Sequence, residues 1–286
     1  MPEARYGGQA LCGAVLVLSF ILVAGCLGEG EAGADGKVLV AVTIPPQAEF
    51  VEAVGGDRVD AMILVGPGEN PHTYEPTPGQ LARLGEAAMY AKVGSGVEVE
   101  NAWMEKIAGL NPDMLVVDCS EGIEIVDGDP HIWLSPRNAA TMVANICDGL
   151  IAVDPEGKPI YEANRDRYLA ELHALDTEIV ASLDGREGKA VLVYHPAWGY
   201  FARDYGLKIV PIEDEGKEPT PQGLQHLIAQ ARAENISVVF ASPEQSTRSA
   251  EVVAGEINGS VVLVSPLEKG YIENMRHVAG AFAGSP

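Results

Sequence analysis

Three of the six histidines stand apart by their surroundings. His72 lies in Asn70-Pro71-His72-Thr73-Tyr74-Glu75-Pro76. His131 lies in Asp129-Pro130-His131-Ile132-Trp133-Leu134-Ser135-Pro136, and His195 in Tyr194-His195-Pro196-Ala197-Trp198. Each neighbours a proline, which stiffens the backbone around it. Neutral imidazole is the commonest metal ligand, and three together suit zinc in particular. One such histidine is ordinary; three at equivalent places in a fold are a site. His173, His226 and His277 fall inside helical patterns and carry no assigned role. Motifs of other chemistries are missing from the sequence. It has no HExxH, no GxSxG and no Walker loop, and Gly94-Ser95-Gly96 lacks the later glycine of a dinucleotide loop.

The elements that must hold these histidines alternate strand and helix. Residues 37–43, 58–65, 88–93 and 113–118 read as strands, with helical patterns at 47–54, 77–86 and 100–110 between them. The alternation breaks at a helix over 138–153, a turn at 154–157 and a long helix over about 159–183. In the long helix Tyr161, Tyr168, Leu172, Leu175, Ile179 and Leu183 recur 3, 4 or 7 apart, one apolar stripe. Strands then resume at 190–194, 208–212, 237–241 and 260–264, with helices at 198–205, 221–234, 248–257 and 271–283. The expected fold class is α/β: two four-stranded parallel βα lobes bridged by one long α-helix. The expected division is an N-terminal lobe over 37–155, the bridging helix over 156–185 and a C-terminal lobe over 186–286. Glu-Pro-Thr-Pro occurs at 75–78 and again at 218–221, each time after the second strand of its set. In both, Thr is a candidate N-cap with Pro as first helical residue. His72, His131 and His195 all fall at carboxyl ends of strands, the edge where open α/β sheets bind ligands.

With 286 residues and 47% apolar content, the chain can build a real core. Nineteen basic against 41 acidic residues give a net charge of −22, which argues against nucleic acid as a partner. The first residues carry Arg5, then an uncharged apolar run from Ala10 to Gly25. Residues 1–25 read as a signal peptide, and Leu22-Val23-Ala24-Gly25-Cys26 resembles a lipobox. Cys26 would then be lipidated, with 26–36 as a Gly-rich acidic tether. An uncleaved membrane anchor is the alternative. Both readings place the folded part outside the cytoplasm, and the first holds it at the outer face of the cytoplasmic membrane. Cys119 and Cys147 remain, either as a disulfide or as two buried thiols.

From about Lys37 to Ala283 the chain resembles the zinc- and manganese-binding solute receptors of ABC uptake transporters (the cluster A-I group, solute-binding family 9). NPHTYEP at 70–76, DPHIWLSP at 129–136, VYHPAWGYFARDYGL at 193–207 and PLEKGYIENMRHVAGAF at 266–282 carry the resemblance. It implies a monomer that binds an ion between its lobes and passes it to a membrane permease driven by an ATPase. It implies His72, His131 and His195 as three ligands. A histidine at 195, where manganese-type members tend to place a carboxylate, leans the resemblance toward Zn2+, with Mn2+ as the alternative. The fourth position departs from the family. Members commonly carry an aspartate where Ser265 stands, and an acidic residue where Ser242 stands. Glu244 is the candidate replacement, with water as the alternative. Trp133, Trp198 and Tyr74 are expected to pack around the ligands, and Glu75 either supports them or caps a helix. The segment 121–128 is short and lacks the histidines of an accessory metal-collecting loop. An exported zinc hydrolase and a surface adhesin are the rival classes; no carboxylate has an obvious general-base placement for the first. The long helix predicts a modest rearrangement on metal binding, with one ligand loop moving most.

Overall fold

A computed structural model describes residues 36–213, 217–244 and 247–285. The signal-peptide reading, the tether and Cys26 lie outside the described residues.

Two parallel four-stranded sheets organise the chain. The first contains β1 (Val38–Val42), β2 (Val59–Ile63), β3 (Met89–Lys92) and β4 (Leu115–Asp118), in the order β2-β1-β3-β4. The second contains β5 (Ala190–Val193), β6 (Lys208–Pro211), β7 (Val238–Ala241) and β8 (Ser260–Leu263), in the order β6-β5-β7-β8. The second order is the first repeated. In both sheets the chain adds a strand on one side of the first, then crosses to the other. That crossing opens a crevice at the carboxyl edge beside β1 and β5, where ligands enter folds of this kind. The central strand β1 reads VLVAV with no polar residue, as helices covering both faces require. Its Val40 lies between Ala61 of β2 and Met89 of β3.

The repeat extends to the caps. Thr77 accepts a hydrogen bond from the Gln80 amide at 3.3 Å and starts α2 (Pro78–Leu84). Thr220 accepts one from the Gly223 amide at 3.1 Å and starts α7 (Pro221–Ala233). In both, proline occupies a first-turn position whose N–H would have no partner.

Helix α4 (Pro136–Val153) leads into α5 (Lys158–Ser182), 25 residues or roughly 38 Å long. The buried side chains of α5 include Tyr161, Tyr168, Leu172, Leu175 and Ile179, the stripe expected from their spacing. They pack on α4, on α1 (Pro45–Gly55) and on α9 (Tyr271–Gly284). The chain between α5 and α9 supplies α6 (Gly199–Tyr205), α7 and α8 (Arg248–Glu256), and α3 (Glu98–Leu110) follows β3.

The main core does not stop at the boundary between the sheets. Val40, Phe50 and Trp133 from the first half share one buried cluster with Val193, Phe201, Phe240, Tyr271 and Phe282 from the second. Phe50 and Tyr271 meet edge to face with centroids 4.9 Å apart. Trp133 Nε1 donates to the Pro266 carbonyl at 2.7 Å, and the Tyr271 hydroxyl donates to the Trp133 carbonyl at 2.8 Å. A separate smaller cluster, with Leu192, Val239, Ala250 and Val253, fills the other side of the second sheet. Cys119 and Cys147 are both buried free thiols; burial pushes both above the usual thiol range, Cys119 the further. Among the described residues no helix is long and apolar enough to cross a membrane.

Candidate metal centre

Each of the three histidines is fixed by its own short loop. In Asn70-Pro71-His72, the Asn70 side chain accepts from the His72 amide at 2.9 Å. In Asp129-Pro130-His131, Asp129 Oδ1 accepts from the His131 amide at 2.9 Å. Both are Asx turns, in which a short side chain replaces a backbone acceptor two residues on. His195 leaves the end of β5, and its carbonyl accepts from the Ala197 amide at 2.9 Å.

These loops bring the imidazoles together. One ligand nitrogen from each of His72, His131 and His195 lies within 4.8 Å of the others. Ring centroids are 5.0 Å apart for His131–His195 and His72–His195, and 5.6 Å for His72–His131. His131 and His195 are nearly covered, whereas the His72 side chain is 23% exposed and forms the open side.

The tautomers follow from the neighbours. His72 Nδ1 lies 2.6 Å from Glu98, His131 Nδ1 lies 2.7 Å from Asp129, and His195 Nδ1 contacts Glu213. A carboxylate can only accept, so each Nδ1 carries the hydrogen and each Nε2 keeps a lone pair. Two of those lone pairs face each other, with His131 Nε2 and His195 Nε2 3.2 Å apart. Lone pairs so close repel unless a cation lies between them. Zinc–nitrogen bonds of ~2.0–2.1 Å at tetrahedral angles would set neighbouring nitrogens ~3.3–3.4 Å apart, so the spacing fits. Burial is the largest influence on His131 and holds its pKa below the usual imidazole range. Asp129 opposes this, while His195 and His72 add to it. The ring is thereby kept neutral, the state a metal ligand needs.

Glu98, Asp129 and Glu213 were not singled out from sequence. Asp129 had a signal, an acidic residue two before a histidine across a proline. Glu98, at the start of α3, and Glu213, after β6, reach the site only through the sheet order. Glu244 lines a small cavity of about 20 Å³ together with His72, His131 and His195. Its carboxylate accepts hydrogen bonds from the Ser242 and Ser265 hydroxyls. It stands outside the 4.8 Å group of nitrogens. The expectation for the aromatic residues divides. Trp133 lies beside His131 with centroids 5.3 Å apart. Trp198 instead caps the start of α6 and meets Phe201 and Phe282 edge to face in the shared core. Tyr74 donates to Gln80 at 2.8 Å, and Glu75 is exposed while Thr77 caps α2. A wider cavity of about 1100 Å³ opens over the histidines and reaches Asp127, Tyr200 and Arg203.

Two repeated βα lobes, a rigid helix and three convergent imidazoles drawn from both halves define a bilobal metal-ion receptor. The chain belongs to the family described as ZnuA, zinc-uptake complex component A, periplasmic, whose profile matches residues 40–284. It is 30% identical over 279 residues to the high-affinity zinc uptake system protein ZnuA of Bacillus subtilis (strain 168), covering 89% of this chain and 87% of that one. It is 29% identical to the manganese ABC transporter substrate-binding lipoprotein PsaA of Streptococcus mitis, covering 85% of each. It also matches the zinc-binding lipoprotein AdcA of Streptococcus pneumoniae at 29% identity, but spans only 51% of that protein's length. A crystal structure of ZnuA superimposes with a TM-score of 0.84 at 40% identity, covering 87% of this chain and 99% of that one. The protein is therefore an extracytoplasmic metal receptor of an ABC uptake system, and not an enzyme.

Proposed function

We propose that the protein captures Zn2+ with the Nε2 atoms of His72, His131 and His195 and delivers it to the permease of its transporter. The observation that carries this reading is the 3.2 Å approach of two Nε2 atoms whose rings each meet a carboxylate at Nδ1. Three imidazoles favour zinc over manganese, which prefers oxygen ligands. Glu244 supplies the fourth ligand after a short movement out of its serine contacts. Lobes divided at about 155 and 185 rearrange only modestly, because a core continuous across both halves resists wide opening. The open side at His72 is the part free to move. The chain works as a monomer beside the membrane, held there by lipidated Cys26; Cys26→Ser is expected to shift it from the membrane fraction to the soluble one, and unchanged fractionation would remove the anchor.

Zinc affinity measured against pH in wild type and in Glu244→Gln tests the ligand set. Protons compete for the imidazoles, so affinity should hold above ~6.5 and fall steeply below it. His131 agrees in sign but acts further down: its pKa is depressed in the folded site, so its share of the loss comes as pH falls through that lowered value, beneath the ordinary imidazole range. Equal affinity at pH ~5 and ~7.5 contradicts a three-histidine site. Glu244→Gln should weaken binding on the order of 10-fold at neutral pH. An unchanged value assigns the fourth position to water.

A further inference from the structure

One buried carboxylate takes no part in the site described above. Glu100, in the first turn of α3, is 4% exposed. Its side chain accepts from the Val93 amide at 2.6 Å, from the Gly94 amide at 2.9 Å and from the Thr43 hydroxyl. Tyr90 completes the chain, its hydroxyl 3.1 Å from that of Thr43. A buried carboxylate is costly unless its lone pairs are filled. Here they are filled by two successive backbone amides, and only a carboxylate offers two acceptor oxygens to match them.

The loop so gripped, residues 93–97, has no slack. Gly94 has φ +83°, and a Cβ there would lie 1.9 Å from Asp118 Oδ1. The Ser120 hydroxyl donates to the Gly94 carbonyl at 3.2 Å, and Asn101 Nδ2 donates to the Gly96 carbonyl at 2.8 Å. This loop touches two ligand loops at once. The Ser95 hydroxyl donates to the Pro130 carbonyl, inside Asp129-Pro130-His131. Glu98, directly after the loop, holds His72 Nδ1. His195 is held separately, by Glu213.

We propose that Glu100 is a positioning residue for the metal centre, acting through the 93–97 loop that supports His72 and His131 together. Glutamine at 100 presents an NH2 group to one of the two amides, so one hydrogen bond is replaced by two opposed donors. The loop loosens, and both imidazoles lose their shared support while His195 keeps its own. This rests on His72 and His131 being ligands.

The test is zinc affinity by chelator competition on purified, metal-stripped protein, with the unfolding midpoint of the metal-free form measured beside it. Glu100→Gln is expected to weaken zinc binding about 10-fold, the size seen when partners behind a ligand are removed. Ser95→Ala should cost roughly threefold, one hydrogen bond to the His131 loop. The double variant Glu100→Gln/Ser95→Ala should be no weaker than Glu100→Gln, because both act through one loop. Glu100→Gln combined with Glu213→Gln should instead multiply their separate losses. Should Glu100→Gln fail to fold, Thr43→Val removes the hydroxyl bond to the same carboxylate and takes its place. A lowered midpoint with unchanged affinity, or Glu100 and Ser95 losses that multiply, overturns the proposal. Wild-type protein that holds no zinc overturns the ligand reading beneath it, a different and visible failure.

Discussion

His131→Ala should weaken zinc binding by more than about 100-fold, since loss of a group that merely supports a ligand already costs 10–100-fold. Three features make this residue the most sensitive of the set. It is the most buried imidazole of the cluster, so water cannot easily take its place. Its Nε2 is one of the two nitrogens that face each other at 3.2 Å. Its removal also strands Asp129, whose Oδ1 would keep the amide of residue 131 but lose the ring. Competition with a chelator of known affinity measures the loss. A His131→Ala protein that binds zinc within about threefold of wild type would show that this imidazole is not a ligand, because even one ordinary hydrogen bond is worth that much.

Trp133→Ala should destabilise the metal-free protein by about 3–5 kcal/mol, the usual cost of deleting a large buried ring. The ring is 1% exposed and lies in the core shared by both halves. Its Nε1 bond to the Pro266 carbonyl joins the segment after β4 to the segment after β8. Trp133→Phe separates the two contributions. It restores much of the volume but leaves that carbonyl unpaired, a penalty of about 1–3 kcal/mol. Denaturant unfolding of both variants without metal gives the comparison. Saturating zinc should recover part of the loss, since an ion bound only by the folded state stabilises it. A Trp133→Ala protein within about 1 kcal/mol of wild type would mean the site can collapse around the gap, contrary to the packing described.

The order of elements was legible because it rests on short-range pattern. β-branched runs, the stripe on α5 and the Thr-Pro caps each act within a few residues, and each appears where its spacing places it. Element ends moved by no more than two residues, as at α4, which begins at Pro136 behind the Ser135 cap. The three histidines were legible for a related reason: the carboxyl edge of a parallel sheet is known once strand order in the chain is known. What sequence did not reveal is whatever depends on the order of strands in space. Glu213 reaches His195 because β6 lies beside β5, and Glu98 reaches His72 across the carboxyl end of β1, the strand between β3 and β2. Trp198 closes the His195 motif yet belongs to the core, where its ring meets Phe282 edge to face. The return of α9 against α5, with Tyr271 at its start meeting Phe50 of α1, joins the two halves into one core and is likewise a tertiary fact. Glu100 carried no sequence signal at all; its amide partners are defined only once the loop has closed over it.

Metal content after open competition tests the central claim most directly. Protein stripped by chelator is offered equal Zn2+ and Mn2+ at neutral pH, and the ions retained per chain are counted. The account predicts one zinc, no manganese, and loss of the zinc in His195→Ala. Retention of manganese in preference to zinc, or zinc held equally well without His195, would contradict it.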